Sequence, residues 1–203
     1  MSKDLLIIFT RNPELGKCKT RLAASLGDET ALSIYKFLLN HTVAITQNLK
    51  VDKQVHYSVK VRENDIWDPA LFAKKQQKGS DLGERMLHAF HRGFEEGYER
   101  LIIIGSDMYD MDQADLEEAF EALKSHDFVI GPATDGGYYL LGMSYLKPEL
   151  FSNKQWGTET VLNATLENLI GVSLKVLTKK NDIDYAEDLE GFPVFDQFIT
   201  KKK

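Results

Sequence analysis

The sequence predicts an α/β protein: one domain of 203 residues built on a mostly parallel, mixed sheet with helices on both faces. Three observations carry that expectation. Short apolar runs alternate with longer segments whose apolar residues recur at helical spacing. The strongest runs lack the alternation of a half-solvated strand, so they read as strands buried on both faces. Odd polar residues gather just after those runs, where open sheets of this kind bind ligands.

Taken in order, Leu5-Leu6-Ile7-Ile8-Phe9 is the first strand, short, continuous and rich in branched residues. A basic loop and a helix follow. Residues 28–48 read as a helix with Asp28 as N-cap, placing Leu32, Tyr35, Leu38, Leu39, Thr42 and Ile45 on one stripe. Val55–Val59 is a weaker strand. Asp81, with Glu84 three residues on, forms a capping box that opens a helix through Met86, Leu87, Phe90 and Phe94. Leu101–Ile104 is the second strong strand, and Asp112 caps a helix carrying Leu116, Ala119, Phe120 and Leu123. Phe128–Ile130 and Tyr138–Leu141 are strands. Thr158 caps a last long helix through Val161, Leu162, Leu166 and Leu169, and Leu174–Leu177 is a weak final strand. Residues 191–203 read as a peripheral tail that ends in the frayed run Lys201–Lys203.

Four segments carry chemistry. In Thr10–Leu22, Gly16 supplies a turn and Arg11, Lys17, Lys19 and Arg21 supply charge, the ingredients of a phosphate loop. It is neither of the two common phosphate motifs. G-x-G-x-x-G is absent, and G-x-x-x-x-G-K-[ST] fails because Arg11 replaces its first glycine and Cys18 its hydroxyl. Gly105-Ser106-Asp107 ends the most apolar strand and points a hard oxygen ligand into the crevice. A second carboxylate is needed, and Asp182 and Asp184 follow the last strand; Asp184 is preferred because Ala186–Leu189 reads as a short helix just beyond it. Together Asp107 and Asp184 suit Mg²⁺ or Mn²⁺. In Gly131–Tyr139, Asp135-Gly136-Gly137 is either plain hairpin chemistry or a turn that admits a substrate, with Asp135 as acceptor contact or general base. The helix start containing Asp81 and Gly83 either caps its helix or receives a ribose or base.

Other residues read as structural. His88 and His91 are i,i+3 but lack further ligands, and Trp156 reads as a staple at a helix start rather than a stacking ring. Cys18 sits between two lysines, which favours thiolate, yet no histidine base accompanies it.

Composition removes several classes. Lysine plus arginine number 25 against 31 aspartate plus glutamate, a net charge of −6, so bulk charge does not hold a nucleic acid. No apolar run approaches the length needed to span a bilayer, and none reads as a secretory leader. One cysteine excludes an internal disulfide framework. A soluble, cytoplasmic protein is expected, and a homodimer is compatible with the sequence.

The ordered set Pro13…Gly16-Lys17…Lys19-Thr20-Arg21-Leu22, Gly79–Met86, Gly105-Ser106-Asp107, Gly131–Leu140 and Asp182-Ile183-Asp184 resembles bacterial glycosyltransferase-like proteins once described as a domain of unknown function. The resemblance runs from about residue 4 to residue 190. It implies the Rossmann-like nucleotide-diphospho-sugar transferase fold of the GT-A kind, shared with molybdenum-cofactor and phospholactate nucleotidyltransferases. It also implies that the nucleotide lies against the loop of Lys17 and Arg21, the metal on Asp107 and Asp184, and the acceptor at Asp135-Gly136-Gly137. The chain departs from the pattern at Met108-Tyr109, where the family usually places a proline two residues after the motif, and the loop beside the metal is reshaped.

The expected activity is metal-dependent transfer from a nucleotide-activated donor, foremost a nucleoside-diphosphate sugar, to a small-molecule acceptor. Asp107, Asp135 and Lys17 would be catalytic; Arg11, Gly16, Lys17, Arg21, Asp81, Gly83, Gly136 and Gly137 would bind substrate. The rivals are nucleotidyl transfer from a nucleoside triphosphate to a phosphorylated molecule, and nucleotide binding without turnover.

Overall fold

The computed structural model describes residues 2–199. Seven strands form one sheet: β1 (Asp4–Thr10), β2 (Asp52–Tyr57), β3 (Ala73–Gln76), β4 (Arg100–Gly105), β5 (Phe128–Pro132), β6 (Tyr138–Met143) and β7 (Leu174–Val176). Their order is β3-β2-β1-β4-β6-β5-β7. β1 pairs in parallel with β2 and β4, β2 with β3, and β5 with β7, whereas β6 runs antiparallel to both its neighbours. The sheet is therefore mixed, and its carboxyl edge carries the chain ends of β1 and β4 side by side.

Successive residues of β1 serve opposite faces, as a two-residue period requires. Leu6 and Ile8 pack with Tyr35 and Leu39 of α2 (Asp28–Thr46) and with Leu116 and Phe120 of α4 (Gln113–Ala122). Leu5 and Ile7 pack instead with Met86 and Phe90 of α3 (Leu82–Glu95) and reach Leu169, just beyond α5 (Val161–Asn168). Both faces are covered, which is why the strands read as unbroken apolar runs.

The two aspartate caps are in place. Asp81 accepts from the Glu84 amide at 2.9 Å, and Asp112 from the Asp115 amide at 3.0 Å. Other boundaries move. Gly27, not Asp28, flanks α2, because α1 (Thr20–Leu26) ends immediately before it and Asp28 is already helical. Thr158 does not cap α5; its hydroxyl binds the Gln155 carbonyl at 2.8 Å, and the helix begins three residues later and spans only eight residues. β3 escaped the sequence pattern because Ala-Lys-Lys-Gln is a polar edge strand whose identity comes from pairing with β2.

The largest departure is at the C-terminus. Residues 192–199 form a 3₁₀ turn and the short helix α6 (Asp196–Ile199), and Phe195 is fully buried against Leu22, Ile34 and Ile183. Phe192, Phe195 and Phe198 join Phe37 and Tyr109 in one aromatic cluster, with Tyr109 and Phe195 centroids 5.0 Å apart. Lys201–Lys203 lie outside the described residues. Phe195→Ala should therefore lower unfolding free energy by about 3–5 kcal/mol in urea titration, as for other buried phenylalanines; a loss below about 1 kcal/mol would mean the segment contributes no core.

Candidate active site

The end of β1 is fixed by a buried hydroxyl network. Ser106 Oγ donates to Thr10 Oγ1 at 3.1 Å, Tyr35 OH donates to the Arg11 carbonyl at 2.9 Å, and the Arg11 amide donates to Tyr35 OH at 3.0 Å. Strands β1 and β4 and helix α2 are thereby locked together directly beneath Asp107. Asn12, also buried, accepts from the amides of Val59 and Lys60 and so ties the following loop to the end of β2.

The loop then delivers Lys19, not Lys17, to the carboxylates. Lys17 is exposed, pairs with Glu14 at 2.9 Å and is not among the residues that line the cleft. Lys19 adopts a left-handed backbone (φ 48°, ψ 49°) that turns its side chain inward, where it is only 4% exposed. Its Nζ lies 2.7 Å from Asp107 Oδ2 and 2.8 Å from Asp184 Oδ1. Burial alone would lower its pKa, but the two carboxylates outweigh that and raise it. Burial likewise opposes ionisation of Asp107, yet the adjacent ammonium holds its carboxyl below the usual range. Arg21 reaches Asp184 Oδ2 at 3.3 Å and stands over the Tyr185 ring. Cys18 is buried, donates to the Asn12 carbonyl and has a raised pKa through burial, so the flanking lysines do not make it a thiolate.

Two concavities meet here. A polar cleft of about 490 Å³ is lined by Arg11, Lys19, Arg21, Asp81, Arg85 and Asp184, among others. A second, apolar cavity of about 250 Å³ is walled by Met86, Tyr138, Trp156, Asp135 and Asp182. Phe9, Leu82 and Asp107 line both. Arg85 projects from the first turns of α3 with its Nε on the Gly79 carbonyl at 3.1 Å. Trp156 is thus a cavity wall as well as a packing residue, which its position near a helix start did not reveal.

Some expected ligand-binding glycines serve packing. Gly83 is buried, and a Cβ there would collide with the Trp156 ring and the Phe151 carbonyl, so its lack of a side chain admits that ring. Gly136 (φ 87°) turns the β5–β6 hairpin against the Glu159 backbone, where a Cβ would also collide. Gly137 does face the cavity, and its amide donates to Asp135 Oδ1 at 2.8 Å. Gly16 turns the β1–α1 loop away from the cleft, beside Asp28. His88 and His91 are exposed.

Asp107 and Asp184 converge on one point, the one the Lys19 ammonium touches. Among the described residues no group of three or more His, Cys, Asp or Glu side chains forms a metal cage. Lys19 and Arg21 already take Asp107 Oδ2 and both Asp184 oxygens, so a Mg²⁺ or Mn²⁺ shared by these two carboxylates would have to displace the ammonium.

A family described as "Uncharacterized protein conserved in bacteria" (DUF2064) matches residues 39–158, more than half of the chain. The chain belongs to this family. The matched span holds Asp81, Asp107 and Asp135; Lys19 and Asp184 lie on either side of it. A crystal structure from Desulfovibrio desulfuricans G20, provisionally named a nucleotide-diphospho-sugar transferase, is 33% identical, with TM-score 0.84, over 93% of this chain and 85% of that one. A cytidylyltransferase from Leptospira borgpetersenii serovar Hardjo-bovis is 16% identical with TM-score 0.58, covering 94% and 84%. The inositol-1-phosphate CTP transferase of T. maritima is 14% identical with TM-score 0.54, covering 97% and 95%. The last two share the fold alone. None of the curated proteins compared matches the chain. No helix among the described residues is long and apolar enough to cross a membrane. The family and its fold agree with the resemblance read from the motifs.

Asp182 yields a pH test. Burial, then Asp135 and Asp184, push its pKa up to about 6 from 3.8. Between those values the folded chain keeps a proton that the unfolded chain releases, so stability falls as pH rises from about 4 to 6, by at most about 3 kcal/mol. Asp182→Asn should raise the melting temperature at pH 7.5 and change it little at pH 4; an equal shift at both would remove the repulsion as its cause.

Proposed function

We propose that the protein is a metal-dependent transferase that takes a nucleotide-activated donor, foremost a nucleoside-diphosphate sugar, and moves the sugar to a small-molecule acceptor. The observation that carries this reading is the meeting of two unlike pockets at Asp107. The polar cleft is rich in cations, whereas no lysine or arginine among the described residues lines the apolar cavity. A diphosphate suits the first. A phosphorylated acceptor finds no counter-charge in the second, whereas a sugar suits aromatic walls and carboxylates that accept hydroxyl hydrogen bonds. The relative from Desulfovibrio desulfuricans supports the donor class by its name.

In this mechanism Arg11, Lys19, Arg21 and Arg85 hold the diphosphate oxygens, the arginines as planar donors. Asp107 and Asp184 would be the residues to hold a Mg²⁺ or Mn²⁺, which would supply Lewis-acid stabilisation of the leaving group. The bond from the anomeric carbon to the diphosphate breaks, and its electron pair departs with the nucleoside diphosphate. The acceptor hydroxyl oxygen forms the new bond to that carbon, and its proton passes to Asp135, whose Oδ1 the Gly137 amide orients.

Four cations around one cleft also suit a triphosphate, and this keeps nucleotidyl transfer as the second reading. The two separate cleanly. With a panel of nucleoside-diphosphate sugars and Mn²⁺, one donor should turn over, and Asp107→Asn should lower kcat/KM by about 10²-fold or more. Unchanged turnover in that variant would overturn the role of Asp107. Pyrophosphate release from a nucleoside triphosphate would favour the second reading, and nucleotide binding that ignores metal, without turnover, would leave a binding module.

A further inference from the structure

The Lys19 ammonium stands where a cation shared by Asp107 and Asp184 would sit. Its Nζ is 2.7 Å from Asp107 Oδ2 and 2.8 Å from Asp184 Oδ1, and Arg21 takes Asp184 Oδ2 at 3.3 Å. Two carboxylates are thereby balanced by two cations of the chain itself, so this group of four presents no net negative charge to a divalent ion. An ion on the same oxygens would also stand one atom away from the ammonium, and like charges at that range repel.

The ammonium cannot simply be pushed aside. It is buried, whereas the Asp107 and Asp184 side chains are 44% and 31% exposed, so it lies behind carboxylates that open onto the cleft. Its partners among the described residues are those two carboxylates, and a buried charge stripped of its partners is strongly disfavoured. It needs another anion, and the cleft that it lines with Arg11 and Arg85 is built to receive one. The backbone is also loaded for a change: Lys19 and Asn153 are the non-glycine residues with positive φ among the described residues, and Lys19 lies at the loop end of α1 with no side-chain cap to fix it.

We propose that Lys19 makes metal binding and diphosphate binding interdependent: its ammonium occupies the carboxylate pair in the ligand-free chain, and a diphosphate in the cleft takes the ammonium and frees the pair for a divalent cation. This rests on the reading of Asp107 and Asp184 as the residues that hold the metal. Lys19 is then a positioning residue as well as a phosphate contact. It passes from carboxylate to phosphate without a change of protonation.

Titration of Mn²⁺ into the full chain without nucleotide, followed by electron paramagnetic resonance at pH 7, tests it. Lys19→Met should bind Mn²⁺ about tenfold or more tightly than the wild type, the size of an ordinary coupling between sites. Adding Asp107→Asn to that variant should remove the gain. A second measurement uses the unaltered chain: acetylation of Lys19 by N-hydroxysuccinimide acetate, read by mass spectrometry, should be slow in the free chain and faster once Mn²⁺ saturates it. Equal Mn²⁺ affinity in wild type and Lys19→Met would overturn the proposal, as would a gain that survives Asp107→Asn, or Mn²⁺ saturation that leaves Lys19 protected. Donor turnover by the wild type separates the readings. Equal Mn²⁺ affinities beside turnover that Asp107→Asn abolishes sink only the interdependence; tighter Mn²⁺ binding by Lys19→Met with no donor turned over sinks the transferase reading and leaves the ammonium and the metal in competition.

Discussion

A single ammonium joins the two ends of this molecule's chemistry. Lys19 Nζ lies 2.7 Å from Asp107 and 2.8 Å from Asp184, carboxylates that arrive from the end of β4 and from the segment beyond β7. Taking an ammonium out of water costs several kcal/mol, and two carboxylates within hydrogen-bond range are what offset it here. The same contact keeps the carboxylates from repelling each other across the cleft mouth. The left-handed backbone at Lys19 follows from this demand, since the residue must turn its side chain under the loop rather than out to solvent beside Lys17.

Charge alone would not hold that arrangement, because three separate segments must be kept in register. An apolar cluster behind the site does so. Leu22 follows Arg21, Ile183 precedes Asp184, and Tyr109 lies two residues beyond Asp107; all three pack around Phe195 and the face of α2. Met108 and Tyr109 follow Asp107 directly, and aromatic packing constrains the loop there. Tyr109 is gripped by Phe37, His41, Phe192 and Phe195, with the His41 ring centroid 4.8 Å away. Aromatic contacts of this kind contribute about 0.5–1.5 kcal/mol each beyond burial, enough together to restrain a loop. The C-terminal aromatics are thus part of the site's support.

The two pockets divide the labour between charge and shape. Cations gather where β1 ends, and aromatic and methionine side chains gather where α3 meets the β5–β6 hairpin. Gly83 links packing to the cavity: only a glycine on that helix face lets the Trp156 ring lie against it. Asp107 sits where the polar and apolar spaces join.

The α/β class, the strong strands, the Asp81 and Asp112 caps and the motif set that marks the family are legible along the chain, because period, capping chemistry and β-branched runs are local properties. Asp107 and Asp184 also come into view there as a pair. Which lysine meets them is set by the folded arrangement. Lys17 and Lys19 are two residues apart in the same basic loop, and nothing local distinguishes them; the turn at Lys19 and its burial by distant segments do. The polar edge strand β3, the load borne by Phe195 and the Trp156 wall were hidden for the same reason. Each takes its role from partners far away in the chain, and a pattern read along one segment carries no record of what folds against it.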